Sequence, residues 1–387
     1  MPDLGAGCEP AGAGSISLGG LVWAFLKLGC IGFGGGMAVI ALMEQEIARK
    51  RRLISVDEFA HGVGLAQILG AFAVNTAIFV GYRLFGLIGS LLCAVAFLTP
   101  SVLLVIALSY LYFEYHSIPS LQGVVAGLGP VVIALIASAG WNIARHTVRT
   151  KIAVLVASAA TAAGIARLNT IWILLAAGAL GLFLNRDSRA GMGTPATQST
   201  ATLFAVPPLS MPAVGTLSGL TGTFLKIGCV FFGGGFVLVP LLHQHLVTDL
   251  HYLTEREFLD GVAISNLTPG PIAVLATFAG YHVASITGAL VATAALFAPG
   301  SALMLVISHE YARFREDCRA KRFLSGINPA VAGLIFATAI LLAPAALASW
   351  RGLLLCGVSL VLLTRFRWHP AFVLAIGAAA GFLGVSP

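Results

Sequence analysis

The sequence predicts an all-α polytopic membrane protein of two inverted-topology repeats, each of about five spans plus one re-entrant helical element. Three observations carry that prediction. The 387-residue chain is 58% hydrophobic and only 10% charged, against about 25% charged in an average soluble domain. Several apolar stretches reach the roughly 20 residues with which a helix crosses a bilayer core of about 30 Å. One motif also occurs twice: Phe25-Leu26-Lys27-Leu28-Gly29-Cys30 returns as Phe224-Leu225-Lys226-Ile227-Gly228-Cys229.

Composition also narrows the function classes. Abundant apolar surface excludes a disordered chain. The net charge of +7 does not mark a nucleic-acid partner, because excess Lys and Arg in a membrane protein collects in cytoplasmic loops. The six cysteines form no CxxC and no metal-like cluster, so neither metal nor cofactor is expected. No HExxH or GxSxG pattern is present, and an enzyme is not expected. The first 26 residues lack Lys and Arg, so no n-region of a cleavable signal peptide is expected.

The repeat holds its register without a gap. Phe33-Gly34-Gly35-Gly36 matches Phe232-Gly233-Gly234-Gly235, Gln45 matches Gln244, Glu58-Phe59 matches Glu257-Phe258, and Gly81-Tyr82 matches Gly280-Tyr281. Pro100 and Pro130 match Pro299 and Pro329. Residues 1–185 therefore read as the first transmembrane repeat and 215–387 as the second, with a Gly-, Ser-, Thr- and Pro-rich cytoplasmic linker at 186–214.

Each half holds six apolar segments, near 17–47, 59–82, 84–113, 121–144, 151–166 and 168–185, then near 215–246, 258–281, 283–311, 324–348, 352–364 and 368–385. If all six spanned, the basic runs Arg49-Lys50-Arg51-Arg52 and Arg145 to Lys151 would face opposite sides, against the positive-inside rule. Letting the second segment dip in and return puts Arg49 to Arg52, Arg83, Arg145, Arg149, Lys151, Arg186 and Arg189 in the cytoplasm and leaves Arg167 outside. Five spans is odd, so the second half enters inverted and the N-terminus lies outside a bacterial inner membrane. Twelve spans with parallel repeats is the alternative. Inverted repeats with broken helices bind substrate near the bilayer midplane, and Gly- or Pro-interrupted segments at matching positions point to the site.

Those interruptions supply the candidate substrate residues. Gly34-Gly35-Gly36 and Gly233-Gly234-Gly235 expose backbone N–H groups where a helix restarts, which suits an anion without any charged side chain. Close helix packing is the competing reading. Lys27 and Lys226 precede them by about two turns; a lysine at the bilayer centre costs roughly 3 kcal/mol, so the pair reads as anion-neutralising, or else as snorkelling to an interface. Asn266-Leu267-Thr268-Pro269-Gly270-Pro271 breaks the second re-entrant segment, with Thr268 expected as N-cap and Pro269 at the first helical position. Gln67 corresponds to Asn266, each able to donate to an oxyanion. Glu44 and Glu46, matched by His243 and His245, are the proton-coupling candidates.

These motifs together resemble the chromate transporter family in its long form with two homologous halves. The stretches that carry the resemblance are FLKLGCIGFGGGMAV, EQEIARKRRLI and LAQIL, then FLKIGCVFFGGGFVLVPLL, EREFLDGVAISNLTPGPIA and FAPGSALML. The family usually places Pro where Gly36 stands, and Pro-Gly-Pro where Gly70-Ala71-Phe72 stands. The resemblance implies a secondary transporter that exports chromate, a dianion that mimics sulfate; a transporter or channel for another small anion such as sulfate is the alternative. The expected partners are the lipid bilayer, the oxyanion and, as candidates, protons and a second copy in a homodimer.

Overall fold

The computed structural model describes residues 16–33, 36–115, 119–184, 217–231, 235–309 and 318–383, and every regular element among them is helical. The expected linker at 186–214 lies outside the described residues.

Element bounds repeat as the sequence does. Helix α1 (Leu18–Ile31) matches α8 (Leu217–Val230). Next come α2 (Gly36–Met43) and its counterpart, a 3-10 turn (Gly235–Val237) leading into α9 (Leu238–Leu242); both run on into a π-helical turn, Glu44–Lys50 and His243–Asp249. Each π turn is followed by a residue in the left-handed region, Arg52 and His251. Then α3 (Val56–Ile68) matches α10 (Glu255–Leu267), and α4 (Phe72–Tyr115) matches α11 (Leu275–His309), the latter entered through the 3-10 turn Ile272–Val274. Long helices α5 (Pro119–Thr147) and α12 (Cys318–Ala346) precede a closing pair in each half: α6 (Lys151–Ile165) with α7 (Thr170–Leu184), and α13 (Trp350–Thr364) with α14 (Pro370–Phe382).

Local chemistry explains where these helices begin. Ser17, Ser55, Thr150 and Ser349 each accept a backbone N–H at the start of their helices, and Thr254 and Glu257 form a reciprocal capping box at α10. Each such cap contributes about 1 kcal/mol. Helix α1 buries Leu21, Ala24, Phe25, Leu28 and Gly29, a stripe at helical spacing. Gly29 lies against the carbonyl of Phe97 in α4, and Gly228 against that of Leu296 in α11.

Two reversals build each half's core. Gly62 on α3 sits under the ring of Phe79 on the first limb of α4, and Gly261 sits under Phe278 in the same way. The second expected apolar segment is thus a tight helical hairpin, closed by the breaks at Leu69–Ala71 and Thr268–Pro271. Then α4 folds back at Phe85–Gly86, and α11 at Ala284–Ser285, where backbone angles leave the helical region. Gly81 and Gly89 touch backbone to backbone across the first fold, as do Gly280 and Gly288 across the second.

The halves are interleaved. Helices α5 and α12 pack on each other at the centre, with Gly140 against Ile335. Gly123 and Gly127 of α5 then meet Gly377 and Gly381 of α14, from the second half. Gly326 of α12 meets Ala177 and Gly181 of α7, and Gly333 meets Ala157 of α6, from the first half. Each long helix is therefore covered by the other half's closing pair. Glycines allow backbones to approach where lipid supplies no hydrophobic drive between helices. Contacts this reciprocal are what a two-fold relation produces.

All five tryptophans face outward: Trp23, Trp141, Trp172, Trp350 and Trp368 are exposed, alongside Leu87, Val95, Leu103, Leu155 and Phe372. So much contiguous apolar surface is foreign to a soluble monomer and suits lipid, with Trp at its interfaces. Four helical stretches, Phe72–Tyr115, Gln122–Thr147, Ile272–His309 and Gly326–Ala346, are long and apolar enough to cross a membrane. Helices α6, α7 and α13 have 15 residues and α14 has 13, so each runs to about 22 Å or less and falls short of a 30 Å core.

Candidate functional site

Broken backbone from both halves converges at one place. Between α10 and α11 the chain runs Thr268-Pro269-Gly270-Pro271. Gly270 has φ +106°, open to glycine at little cost and strained for other residues. Its N–H donates to the carbonyl of Gly32, just past α1, at 2.9 Å. Ser101, on the second limb of α4, donates its hydroxyl to the carbonyl of Pro269. The other side has a related arrangement with different contacts. Gly70, at φ +66°, presses against the carbonyl of Phe231 just past α8, and Gly300, at Ser101's position in the repeat, faces Leu69 and Asn75. Asn75 Nδ2 donates to the carbonyl of Gly70 at 2.7 Å and ties the first break.

The residue just before each restarted helix supplies no side-chain cap. Pro271 offers none to the turn Ile272–Val274, and Ala71, which stands just before α4, has no side-chain oxygen to give. Helix starts from opposite halves thus lie at these breaks, each with the positive end of its dipole. The expected cap at Thr268 is not made. Thr268 closes α10 in extended conformation and donates its hydroxyl to Ser265, because φ at Gly270 postpones the restart beyond Pro271.

The other sequence candidates divide. Gly34, Gly35, Gly233 and Gly234 lie outside the described residues; Gly36 opens α2 beneath the ring of Phe72, and Gly235 opens its 3-10 turn. Gln67 is exposed near the end of α3, whereas Asn266 is half-buried and donates to the carbonyl of Val262 in its own helix. Lys27 is exposed on the stripe of α1 that carries Trp23 and Ile31, away from the buried face; Lys226 is half-buried and within electrostatic reach of His245. Glu44 is paired with Arg49 at 2.7 Å, and Glu46 with Arg51 at 2.8 Å and Lys50 at 3.4 Å. His243 Nε2 lies 2.8 Å from Glu255 Oε2. His245 is buried, its Nδ1 3.8 Å from Asp249 Oδ2 and beyond hydrogen-bond reach of it. Gln244 accepts the N–H of Thr170 at 2.6 Å and stitches the second half to α7 of the first.

Among the described residues no group of three or more His, Cys, Asp or Glu could hold a metal. Ser101, Asn75 and Phe72 were not evident in the sequence. The signal available was Ser101 following Pro100, at the position where Gly300 follows Pro299.

The profile of the Chromate transporter family matches this chain twice, over residues 19–182 and 219–382. The chain belongs to the chromate transporter family. It is 31% identical to a chromate transport protein of Cupriavidus metallidurans over 98% of this chain and 96% of that protein. It is 31% identical to a probable chromate transport protein of Synechococcus elongatus, over 85% of each. It is 32% identical to a chromate transport protein of Pseudomonas aeruginosa over 82% of this chain and 79% of that one. An uncharacterized Bacillus subtilis transporter, YwrA, aligns with 37% of this chain over 83% of its own length, at 27% identity. No solved structure matches. Membership of a transporter family and the apolar outer surface together make this a multi-pass membrane transporter.

Proposed function

We propose that this chain is a secondary transporter that exports a tetrahedral oxyanion, chromate foremost, by alternating access of its two halves. The observation that carries the reading is the pair of helix starts at Phe72 and Ile272, from opposite halves, set beside the ends of α1 and α8. Fixed N–H donors at such ends replace part of an anion's hydration shell. Gly270, Thr268, Pro269, Pro271, Gly36 and Gly235 shape the backbone there, with Gln67, Asn266, Lys27 and Lys226 as side-chain contributors.

We read the halves as inverted, with the N-terminus outside. The short closing pairs do not disturb that reading. A hairpin returns to the side from which it came whatever depth it reaches, so the parity of each half stays odd. Export fits the energetics. Each charge gains about 2.3 kcal/mol per 100 mV, so a dianion leaving an inside-negative cell gains about 4.6 kcal/mol, a gradient above a thousandfold.

The test is chromate flux in oriented proteoliposomes, with sulfate as competitor and the potential clamped. Saturable flux with counterflow, lost in Gly270→Ala and reduced more by Lys226→Leu than by Lys27→Leu, is the expected result. Flux that rises linearly with concentration would mark a passive pathway instead, and no chromate flux from folded protein would end the reading.

A further inference from the structure

The polar groups at the breaks leave one buried acid unused. Asp260, on α10, is 3% exposed, and its Oδ2 accepts the hydroxyl of Tyr112, on the second limb of α4, at 2.7 Å. It has no ion pair among the described residues. The groups whose charge bears on it are Tyr112 from α4 and Arg256 and Glu257 from its own helix; Arg256 is exposed. From α11, Phe278, Tyr281 and His282 pack on Phe113, next to Tyr112. From the π turn, His243 faces Phe258 and pairs with Glu255.

A lone carboxylate in such a setting is costly, and a proton removes the charge. Tyr112 suits both states, since its hydroxyl donates to a carboxylate and accepts from a carboxylic acid. An ionisable residue within a membrane bundle is a functional site by default. The pair also bridges the halves: α10 carries the break at Thr268–Pro271, and α4 is the helix whose Ser101 holds that break. At Asp260's position in the first half stands His61, exposed and bonded to the carbonyl of Asp57. The acid is therefore single.

We propose that Asp260 is a proton-binding site of the transport cycle, protonated while α10 and α4 are closed on each other through Tyr112 and deprotonated when they part. This rests on the transport reading above. In it, a proton crosses by way of Asp260 when the oxyanion moves, and the site lies apart from Glu44, Glu46, His243 and His245.

The experiment pairs flux with spectroscopy on the full chain. In proteoliposomes holding a pH-sensitive dye, wild type should move protons with chromate, and Asp260→Asn should keep at least a tenth of the chromate flux while losing proton movement and pH dependence. Tyr112→Phe should shift the pH midpoint of flux without abolishing it. Wild-type pH dependence and proton movement in Asp260→Asn would overturn the proposal. Infrared difference spectra across pH on purified protein, without chromate, should show a carboxylic-acid carbonyl band that Asp260→Asn removes and Tyr112→Phe displaces. A wild-type spectrum without such a band, or a band untouched by Tyr112→Phe if Asp260→Asn fails to fold, overturns it too. The band present in a wild type that moves no chromate would instead end the transport reading and leave the proton site standing.

Discussion

The two halves share a backbone and differ in their charges. Where the first half has Glu44 paired with Arg49, the second has His243 paired with Glu255. Where Glu46 is held by Lys50 and Arg51, His245 lies buried with its Nδ1 3.8 Å from Asp249 Oδ2, at the position matching Lys50. Glu58 is paired with Arg83, while its counterpart Glu257 turns back to cap α10 at Thr254. Exposed His61 is matched by buried Asp260. Duplication preserved the breaks, the glycine contacts and the reversals, which are set by backbone geometry. Side chains on that frame were free to differ: carboxylates paired with Arg and Lys in the first half, histidines facing Glu255 and Asp249 in the second.

Substitutions can break that comparison. The largest effect is expected where both halves depend on the same contact. Gly81→Leu and Gly280→Leu each force a side chain into the backbone of Gly89 or Gly288, and each should cost about 3 kcal/mol or more, read as loss of monodisperse protein in detergent. Tolerance in one half alone would mean that the reversals are not equivalent.

The breaks come next. Gly270→Ala must adopt φ +106° and displace Ser101, a strain of about 1–3 kcal/mol, and chromate flux should fall about tenfold or more. Ala71→Gly relieves a positive φ at the matching position and should change flux less than about twofold. Equal effects would show that the two breaks contribute alike.

The π turns should respond in opposite senses. Glu46→Gln opens partly exposed ion pairs and should cost under about 1 kcal/mol, whereas His245→Phe removes a buried imidazole that makes no hydrogen bond and meets Asp249 only at 3.8 Å, and should be neutral or stabilising by about 1 kcal/mol. Thermal unfolding followed by tryptophan fluorescence would read both. Smallest is the reversal itself: Ser285 sits at φ +51°, ψ −144°, where the first half has Gly86. Ser285→Gly should stabilise by about 1 kcal/mol and Gly86→Ser should do the reverse.

Much of the frame was legible in the sequence, for physical reasons. Constant register from Lys27 to Pro130 fixes which residues correspond, and the placement of Arg and Lys made the second segment a hairpin before any contact was visible. The partner of each closing pair was not legible, because hydropathy tells a helix to be buried and not against what; Gly377 and Gly381 meet Gly123 and Gly127 from the far end of the chain. Thr268 read as a cap since Thr-Pro is a common helix start, and the left-handed Gly270 overrode it. Asp260 went unnoticed beside Glu255, Arg256 and Glu257, an apparently solvated helix end, because its partner Tyr112 lies 148 residues away.

Interleaving also sets an order on synthesis. Helix α5 ends at Thr147 and the helix that covers its glycines starts at Pro370. At 5–20 residues per second the wait between them is roughly ten to fifty seconds. Throughout that interval the first half holds a small-residue groove open in the bilayer, with lipid or a neighbouring chain as its only temporary cover. Closure by α14 therefore comes after both long central helices have been made. A nascent chain interrupted before that point has its first five helices made and its own groove still vacant, the state in which two such chains would cover each other.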